Sequence, residues 1–436
     1  MLNYPYHQPT FMKYLIACCS LLFLLSCGSN PQKQFSKHLP VQLENDFFDN
    51  QFTGVFIFDP ETGDTLFRHN ADKYFTPASN TKIFTLYTAM ELLPELLPQL
   101  QFQNTGDTLY IRGTGDPTLL HPVFKEQKSL DLIKGFDTIY WVANRMDDTP
   151  LGPGWSWADY DAYYSAERSE LPLYGNVALA GRVTKDSAWI TPSVFSTEIT
   201  EEGPDYYRDQ NANHFYIHTR KMEDTLEIPF HTDTTTVKAL LEQALNKSIS
   251  IKDTLLPGKW QTIYGAPADS VYKRMMKRSD NFIAEQLLIQ ASGMLGDTLD
   301  PSKAINYILK GPLKELKTMP RWVDGSGLSR YNLFTPTAMV HVLHELYKCY
   351  GTERLFTFFP EGGVSGTLKN YFPGEGGPYV HAKTGTLANN YCLSGYLVTN
   401  SGKTLIFSFM NNHYMGSSIP VKQQMTPILE WVRDHY

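Results

Sequence analysis

Strand patterns stand at both ends of this 436-residue chain, and long helical patterns fill much of the interval. That distribution limits the fold more than any other feature. Residues 52–58 and 65–68 read as two strands joined through the turn Asp-Pro-Glu-Thr-Gly-Asp at 59–64. Residues 379–383, 392–399 and 404–410 read as three more, the last two joined by a hairpin turn at 400–403. A strand left alone exposes its N–H and C=O groups, so these five need one another. Pairing them gives one antiparallel sheet built from both ends of the chain. Helical periodicity at residues 82–93, 303–316, 337–347 and 421–436 supplies cover, as does a long helix expected from Ala266 to Leu288. The fold class expected is α+β, an antiparallel sheet covered by helices.

Between residues 105 and 262 the character changes. Short strand patterns at 108–112, 137–142, 187–190, 214–218 and 225–229 are separated by Gly, Pro and Asp turns, with one helical pattern at 237–245. Residues 147–157 are too irregular for an element and read as an ordered loop with aromatic anchors. The division expected is a main domain of residues 46–104 plus 263–436, with a mostly β insertion at 105–262 and no internal repeat.

The N-terminus reads as a targeting segment. Lys13 precedes an apolar core at 14–25 that is too short for a confident transmembrane helix and fits a secretory signal. Met12 is an alternative start. Leu24-Leu25-Ser26-Cys27-Gly28 resembles the bacterial lipoprotein signal, in which the cysteine is lipidated and becomes the mature N-terminus. The expectation is an exported lipoprotein facing the periplasm, with residues 1–27 as signal, Cys27 as membrane anchor and residues 28–45, which open on the polar run 28–37, as a tether. An ordinary cleaved signal with a chance cysteine is the alternative. Cys349 and Cys392 then remain, either as a disulfide or as two buried free thiols. A net charge of −7 without a dense basic run argues against nucleic acid as a main partner.

The chemistry begins at Thr76-Pro77-Ala78-Ser79-Asn80-Thr81-Lys82. Pro77 suits a helix start, and three residues of helix put Ser79 and Lys82 on one side. A serine alcohol becomes a nucleophile when a base takes its proton, and a lysine serves when burial or other cations lower its pKa. Alone the pattern is weak, since Ser270-Val271-Tyr272-Lys273 repeats it. Two further motifs decide between the copies. Ser279-Asp280-Asn281 falls on the expected long helix and Lys383-Thr384-Gly385-Thr386 on a late strand. Together with Ser79 and Lys82 they match, in order, the Ser-x-x-Lys, Ser-Asp-Asn, Lys-Thr-Gly set of β-lactamases and penicillin-binding proteins. Ser270 lies ~13 Å along the same helix from Ser279 and does not converge on one site with it. In this set Ser79 attacks a carbonyl, Lys82 takes its proton, and Ser279 passes a proton to the leaving amine. Asn281 holds Lys82 or a substrate amide, and Lys383 and Thr384 bind a substrate carboxylate. Gly385 lets an extended peptide lie close to the strand, and the N–H groups of Ser79 and Thr386 form the oxyanion hole. Asp280 reads as a cap or a solvated residue.

The resemblance extends over nearly the whole mature chain. Residues 56–93, Gly113-Thr114-Gly115-Asp116-Pro117-Thr118-Leu119, Pro153-Gly154-Trp155-Ser156-Trp157, 279–288, 324–330, Gly366-Thr367-Leu368-Lys369 and 383–395 are similar to the D-alanyl-D-alanine carboxypeptidase/endopeptidase family, the class C low-molecular-weight penicillin-binding proteins. The resemblance implies a DD-peptidase/β-lactamase-like fold and a serine peptidase acting on peptidoglycan stem peptides. It also implies β-lactams as covalent inhibitors and no cofactor or metal. In such proteins an acidic residue before the Pro-Gly-Trp motif recognises the free amino group of the stem peptide, and Asp147 is the best match, with Asp148 next. The two motif serines are 279 − 79 = 200 residues apart, somewhat short for the family, which points to a reduced accessory domain.

Two rival classes remain at the level of sequence. A β-lactamase needs an efficient base for deacylation, and no candidate stands in an obvious context; repeated nitrocefin turnover would favour it. A non-catalytic wall-binding lipoprotein has no need of Lys82, Ser279 and Lys383 together. His341 and His344 lack a third ligand and read as surface or core histidines.

Overall fold

The expected hairpin forms from β1 (Phe52–Phe58) and β2 (Thr65–His69), paired antiparallel. The structure, a computed structural model, describes residues 31–143, 145–184, 187–200, 207–217, 225–254 and 256–436. The signal segment, Cys27 and His218 lie outside the described residues.

The chain runs from β2 through a helix at Lys82–Leu92 into the insertion. There β3 (Leu96–Thr105), β4 (Thr108–Arg112), β5 (Thr138–Val142), β6 (Val177–Thr184), β7 (Ser187–Thr191), β8 (Ile199–Thr200), β9 (Phe215–Tyr216), β10 (Leu226–Pro229), β11 (Ser250–Lys252) and β12 (Gln261–Pro267) follow one another. They build a five-stranded sheet in the order β11-β5-β4-β3-β12, a three-stranded sheet β10-β6-β7, and a β8–β9 pair. The insertion's sheet therefore begins at Leu96 and closes at Pro267, outside the expected bounds of 105 and 262. β3 was hidden because Leu96-Leu97-Pro98 continues an apolar run out of the preceding helix.

After four helices the chain returns through β13 (Val380–Leu387), β14 (Asn390–Val398) and β15 (Thr404–Asn412). The main sheet has the order β13-β14-β15-β1-β2, antiparallel throughout, so both ends of the chain meet at the β15–β1 pair. Its strands are buried on both faces. Phe56, Cys392, Tyr396, Ile406 and Met410 enter one core with the helices that lie between the two motif serines and β13. Val55, Ile57, Leu393, Phe407 and Phe409 enter a second core, alternating as strand geometry requires. A third core lies within the insertion, around Leu100, Ile111, Trp141, Phe215 and Leu240.

Three further expectations are corrected. The expected tether at 28–45 is in its described part a helix, Pro31–Leu43, whose Phe35 and Leu39 are fully buried against the closing helix Ile419–His435. The long helix from Ala266 is two helices, Ala268–Arg278 and Asn281–Ser292. Ser279 ends the first in the left-handed region at φ 57, and Asp280 caps the second by accepting from the N–H of Ile283 at 3.1 Å. Both cysteines are free thiols, but Cys349 is exposed and only Cys392 is buried.

Candidate active site

Ser79 stands on a single 3-10 turn, Ala78–Thr81, that leads directly into the Lys82–Leu92 helix. Asn80 moors this turn to the sheet: its buried amide donates to the carbonyls of Lys383 (2.9 Å) and Cys392 (3.3 Å). Two glycines permit the approach. A Cβ on Gly385 would stand 2.4 Å from the Pro77 carbonyl oxygen, and one on Gly327 would stand 1.9 Å from that of Ala78. Gly327 also has φ 85, a conformation that a Cβ makes strained.

All three motifs converge. Lys82 Nζ lies 2.9 Å from Ser79 Oγ, 2.6 Å from Asn281 Oδ1 and 2.7 Å from the Ser326 carbonyl oxygen. The Asn281 amide is oriented by its nitrogen, which donates to the Tyr164 carbonyl at 2.9 Å. Two of the three Lys82 partners can therefore only accept, whereas the Ser79 hydroxyl can also donate. A neutral Lys82 satisfies all three: its two N–H bonds go to Asn281 and Ser326, and its lone pair faces Ser79. Burial pushes the Lys82 ammonium down to about 8, against the opposing pull of Asp324, Glu285 and Asp280. Lys383 Nζ donates to Ser279 Oγ (2.9 Å) and to the Thr384 carbonyl (2.7 Å). Burial first, and the neighbouring Lys82 second, hold its pKa well below the usual lysine range.

The turn at Ser279 is what makes the second motif work. Left-handed backbone between two helices directs Ser279 toward Lys383 while Asn281, in the next helix, reaches Lys82. Asp280 serves as the cap and pairs with Arg274 at 3.1 Å. Ser79, Ser279, Asn281, Thr384 and Thr386 open onto a cleft of about 830 Å³. The insertion forms its opposite wall with His121, Asp159, Tyr163, Tyr164 and Tyr174. Thr384 Oγ1 donates to Thr367 Oγ1 at 2.7 Å on the cleft floor.

Asp147 does not join this group. It is exposed, its N–H donates to the Leu299 carbonyl at 2.9 Å, and it is not among the residues lining the cleft. Asp148 is turned to Arg168 instead, at 2.9 Å. Ser270 Oγ donates to the Pro267 carbonyl three residues back at 2.6 Å and takes no part. Sequence reasoning missed Asp324, Ser326, Tyr164 and Glu285. The Asp324 carboxylate accepts from Gly327 N (2.9 Å), Ser329 N (2.6 Å), Trp155 Nε1 (2.9 Å) and Asn332 Nδ2 (2.7 Å). It thereby fixes the loop that carries Ser326 and ties the Pro-Gly-Trp segment to it. The signal that would have found Glu285 is its place one helical turn after Asn281.

An α+β fold with a serine on a buried lysine, a second serine–lysine pair beside it and a cleft along an edge strand defines a serine peptidase of the acyl-enzyme class. The sequence matches the D-Ala-D-Ala carboxypeptidase 3 (S13) family over residues 36–201 and 221–434, and the chain belongs to that family. It is 25% identical over 439 aligned positions to the D-alanyl-D-alanine carboxypeptidase DacB of Haemophilus influenzae, covering 84% of this chain and 87% of the relative. A D-alanyl-D-alanine carboxypeptidase of an Actinomadura species is 26% identical over 436 positions, covering 86% and 80%. Among solved structures, penicillin binding protein 4 of Haemophilus influenzae superposes with a TM-score of 0.74 at 19% identity, over 91% of this chain and 99% of that one.

Proposed function

We propose that this carboxypeptidase acts on peptidoglycan stem peptides through an acyl-enzyme on Ser79, releasing the terminal D-alanine or cutting a D-alanyl cross-link, and that penicillins acylate the same serine. The observation that carries the reading is the contact set of Lys82, which accommodates a neutral amine with its lone pair on Ser79 Oγ. Ser79 Oγ attacks the carbonyl of the penultimate D-alanine and its proton passes to Lys82. The negative oxygen of the tetrahedral intermediate faces the N–H groups of Ser79 and Thr386. The C–N bond breaks as Ser279, hydrogen-bonded to Lys383, hands its proton to the leaving amine and regains one at the expense of the Lys82 ammonium, which becomes an amine again. Water then attacks the ester, its proton taken by Lys82, and Ser79 is restored. Lys383 and Thr384 hold the terminal carboxylate, and an extended peptide lies along β13, the edge strand of the main sheet, while Gly385 makes room for the Ser79 turn rather than for the peptide. Support for β-lactam acylation comes from the Haemophilus influenzae penicillin binding protein 4, which has been solved in complex with a β-lactam. Recognition of a free amino group, expected of Asp147, falls more naturally to Asp159 on the cleft wall.

Incubation with cross-linked peptidoglycan fragments followed by mass analysis tests the reading. Loss of one D-alanine from pentapeptide stems, or conversion of dimers to monomers, is expected. Ser79→Ala abolishes both activities and covalent labelling by fluorescent penicillin while the fold persists; labelling that survives in this variant would assign the nucleophile elsewhere. The lipoprotein-like signal supports anchoring in a membrane through Cys27, with the enzyme facing the periplasm. Cys27→Ser is expected to release the protein from membranes, and unchanged partitioning would remove lipidation as the anchor.

A further inference from the structure

Behind Lys82 lies a charged side chain that takes no part in the steps above. Glu285 is fully buried on the Asn281–Ser292 helix, one turn after Asn281. Its Oε1 accepts from the Ser326 N–H at 2.7 Å, and the carbonyl of that same residue accepts from Lys82 Nζ at 2.7 Å. One helix face thus holds the lysine twice, directly through Asn281 and indirectly through Glu285 and the Ser326 backbone. Glu285 Oε2 makes no hydrogen bond and lies 3.6 Å from the Arg168 guanidinium. A proton on Oε2 would find no acceptor there and would face a cation, so the surroundings suit a carboxylate. Arg168 is itself buried and locked, its NH2 donating to Asp148 Oδ1 (2.9 Å) and to the Thr149 carbonyl (2.9 Å).

We propose that Glu285 is a positioning residue for acylation: it fixes the Ser326 carbonyl that orients Lys82, and its negative charge stabilises the ammonium formed when Lys82 takes the Ser79 proton. The proposal rests on Lys82 as the base. Its logic is that of a buried carboxylate behind a catalytic base, which orients the base and stabilises its charged form without accepting the proton. The groups facing this carboxylate are Arg168 from the insertion, Asp324 from the loop that carries Ser326, and Lys82 from its helix. Asp280 also acts on Lys82, and Lys383 stands beside it on β13. Burial and Asp324 push the Glu285 carboxyl up to about 7, while Arg168 and the Ser326 N–H hold it down. As pH rises its carboxylate therefore forms before Lys82 loses its proton.

Glu285→Gln separates charge from shape, because its amide oxygen still accepts from Ser326. The measurement is the second-order rate of penicillin acylation against pH, beside the wild type. Removing the negative charge favours neutral Lys82, so the ascending limb moves to lower pH. The plateau falls because the ammonium formed on attack is less stabilised. A limb that stays at the wild-type pH overturns the proposal, whatever happens to the plateau, since a purely structural defect lowers rates without moving the limb. If the Gln variant does not fold, Glu285→Asp keeps the charge and shortens the reach to Ser326. Its limb is expected to stay in place while the plateau falls, and a plateau equal to the wild type overturns the positioning role. Failure of wild-type Ser79 to label would strike the parent reading instead, so the two failures are told apart.

Discussion

Lys82 carries three contacts and one proton decides what it does. As an ammonium it donates all three hydrogens, including one to Ser79 Oγ, and cannot take the serine's proton. As an amine it faces the hydroxyl with a lone pair. Burial holds its pKa down to about 8, so the active form grows as pH rises through that value. The rate of acylation by benzylpenicillin is therefore expected to climb between pH 7 and 9 and then level. A rate independent of pH across that range would mean that Lys82 is not the titrating base. Ser79, Lys82, Ser279, Asn281 and Lys383 were legible in the sequence because each sits inside a short motif whose order is itself informative. Asp324, Ser326 and Glu285 were not, because their roles depend on which loop the fold lays behind Lys82. Asp147 misled for the opposite reason. Adjacent acids in an irregular loop give no direction to either side chain, and the structure turns Asp148 toward Arg168 and leaves Asp147 in solvent.

Elements read best where hydrophobic period and turn chemistry agree. The five strands of the main sheet were found because each alternates or runs apolar between clear turns, although both faces are covered. The break at Ser279 was missed because neither Gly nor Pro marks it, and Ser in the left-handed region is uncommon. The helix at Pro31–Leu43 was missed because a polar run with two prolines reads as a linker. Pro31 sits at its start and Pro40 is tolerated near its end, while Phe35, Leu39 and Leu43 recur every fourth residue and are buried. That helix is structural rather than a spacer. Phe35 meets Trp431 and Tyr436 with ring centroids 5.1 and 5.8 Å apart. Phe35→Ala is expected to lower unfolding free energy by about 3 kcal/mol, read as a fall in the urea midpoint, with penicillin labelling of the folded fraction intact. A variant as stable as the wild type would restore the linker reading.

At the scale of the molecule, one helix joins the insertion to the main domain. Residues 282–292 of the Asn281–Ser292 helix are all buried, yet they include polar Gln286 and Gln290. The Gln286 amide nitrogen donates to the carbonyls of Gly115 (2.9 Å) and Ser169 (2.8 Å), and its oxygen accepts from Ser169 N at 3.0 Å. Gln290 donates to the Pro98 carbonyl at 2.7 Å. These bonds end on backbone of the insertion, whose own core is separate from the two that flank the main sheet. A subunit with its own core can open by itself, at a free energy below that of global unfolding. Gln286→Leu keeps the bulk and strands two carbonyls and an N–H, at a cost of about 1–3 kcal/mol for each group left unpaired. Amide exchange is therefore expected to quicken in β3, β4 and the 113–119 and 165–171 segments, while β14 and β15 keep their protection. Activity is expected to fall with it, since Asn281 relies on the Tyr164 carbonyl from the same wall. If β14 and β15 lose protection equally, the insertion and the peptidase sheet form one cooperative unit and the helix is not a seam between two.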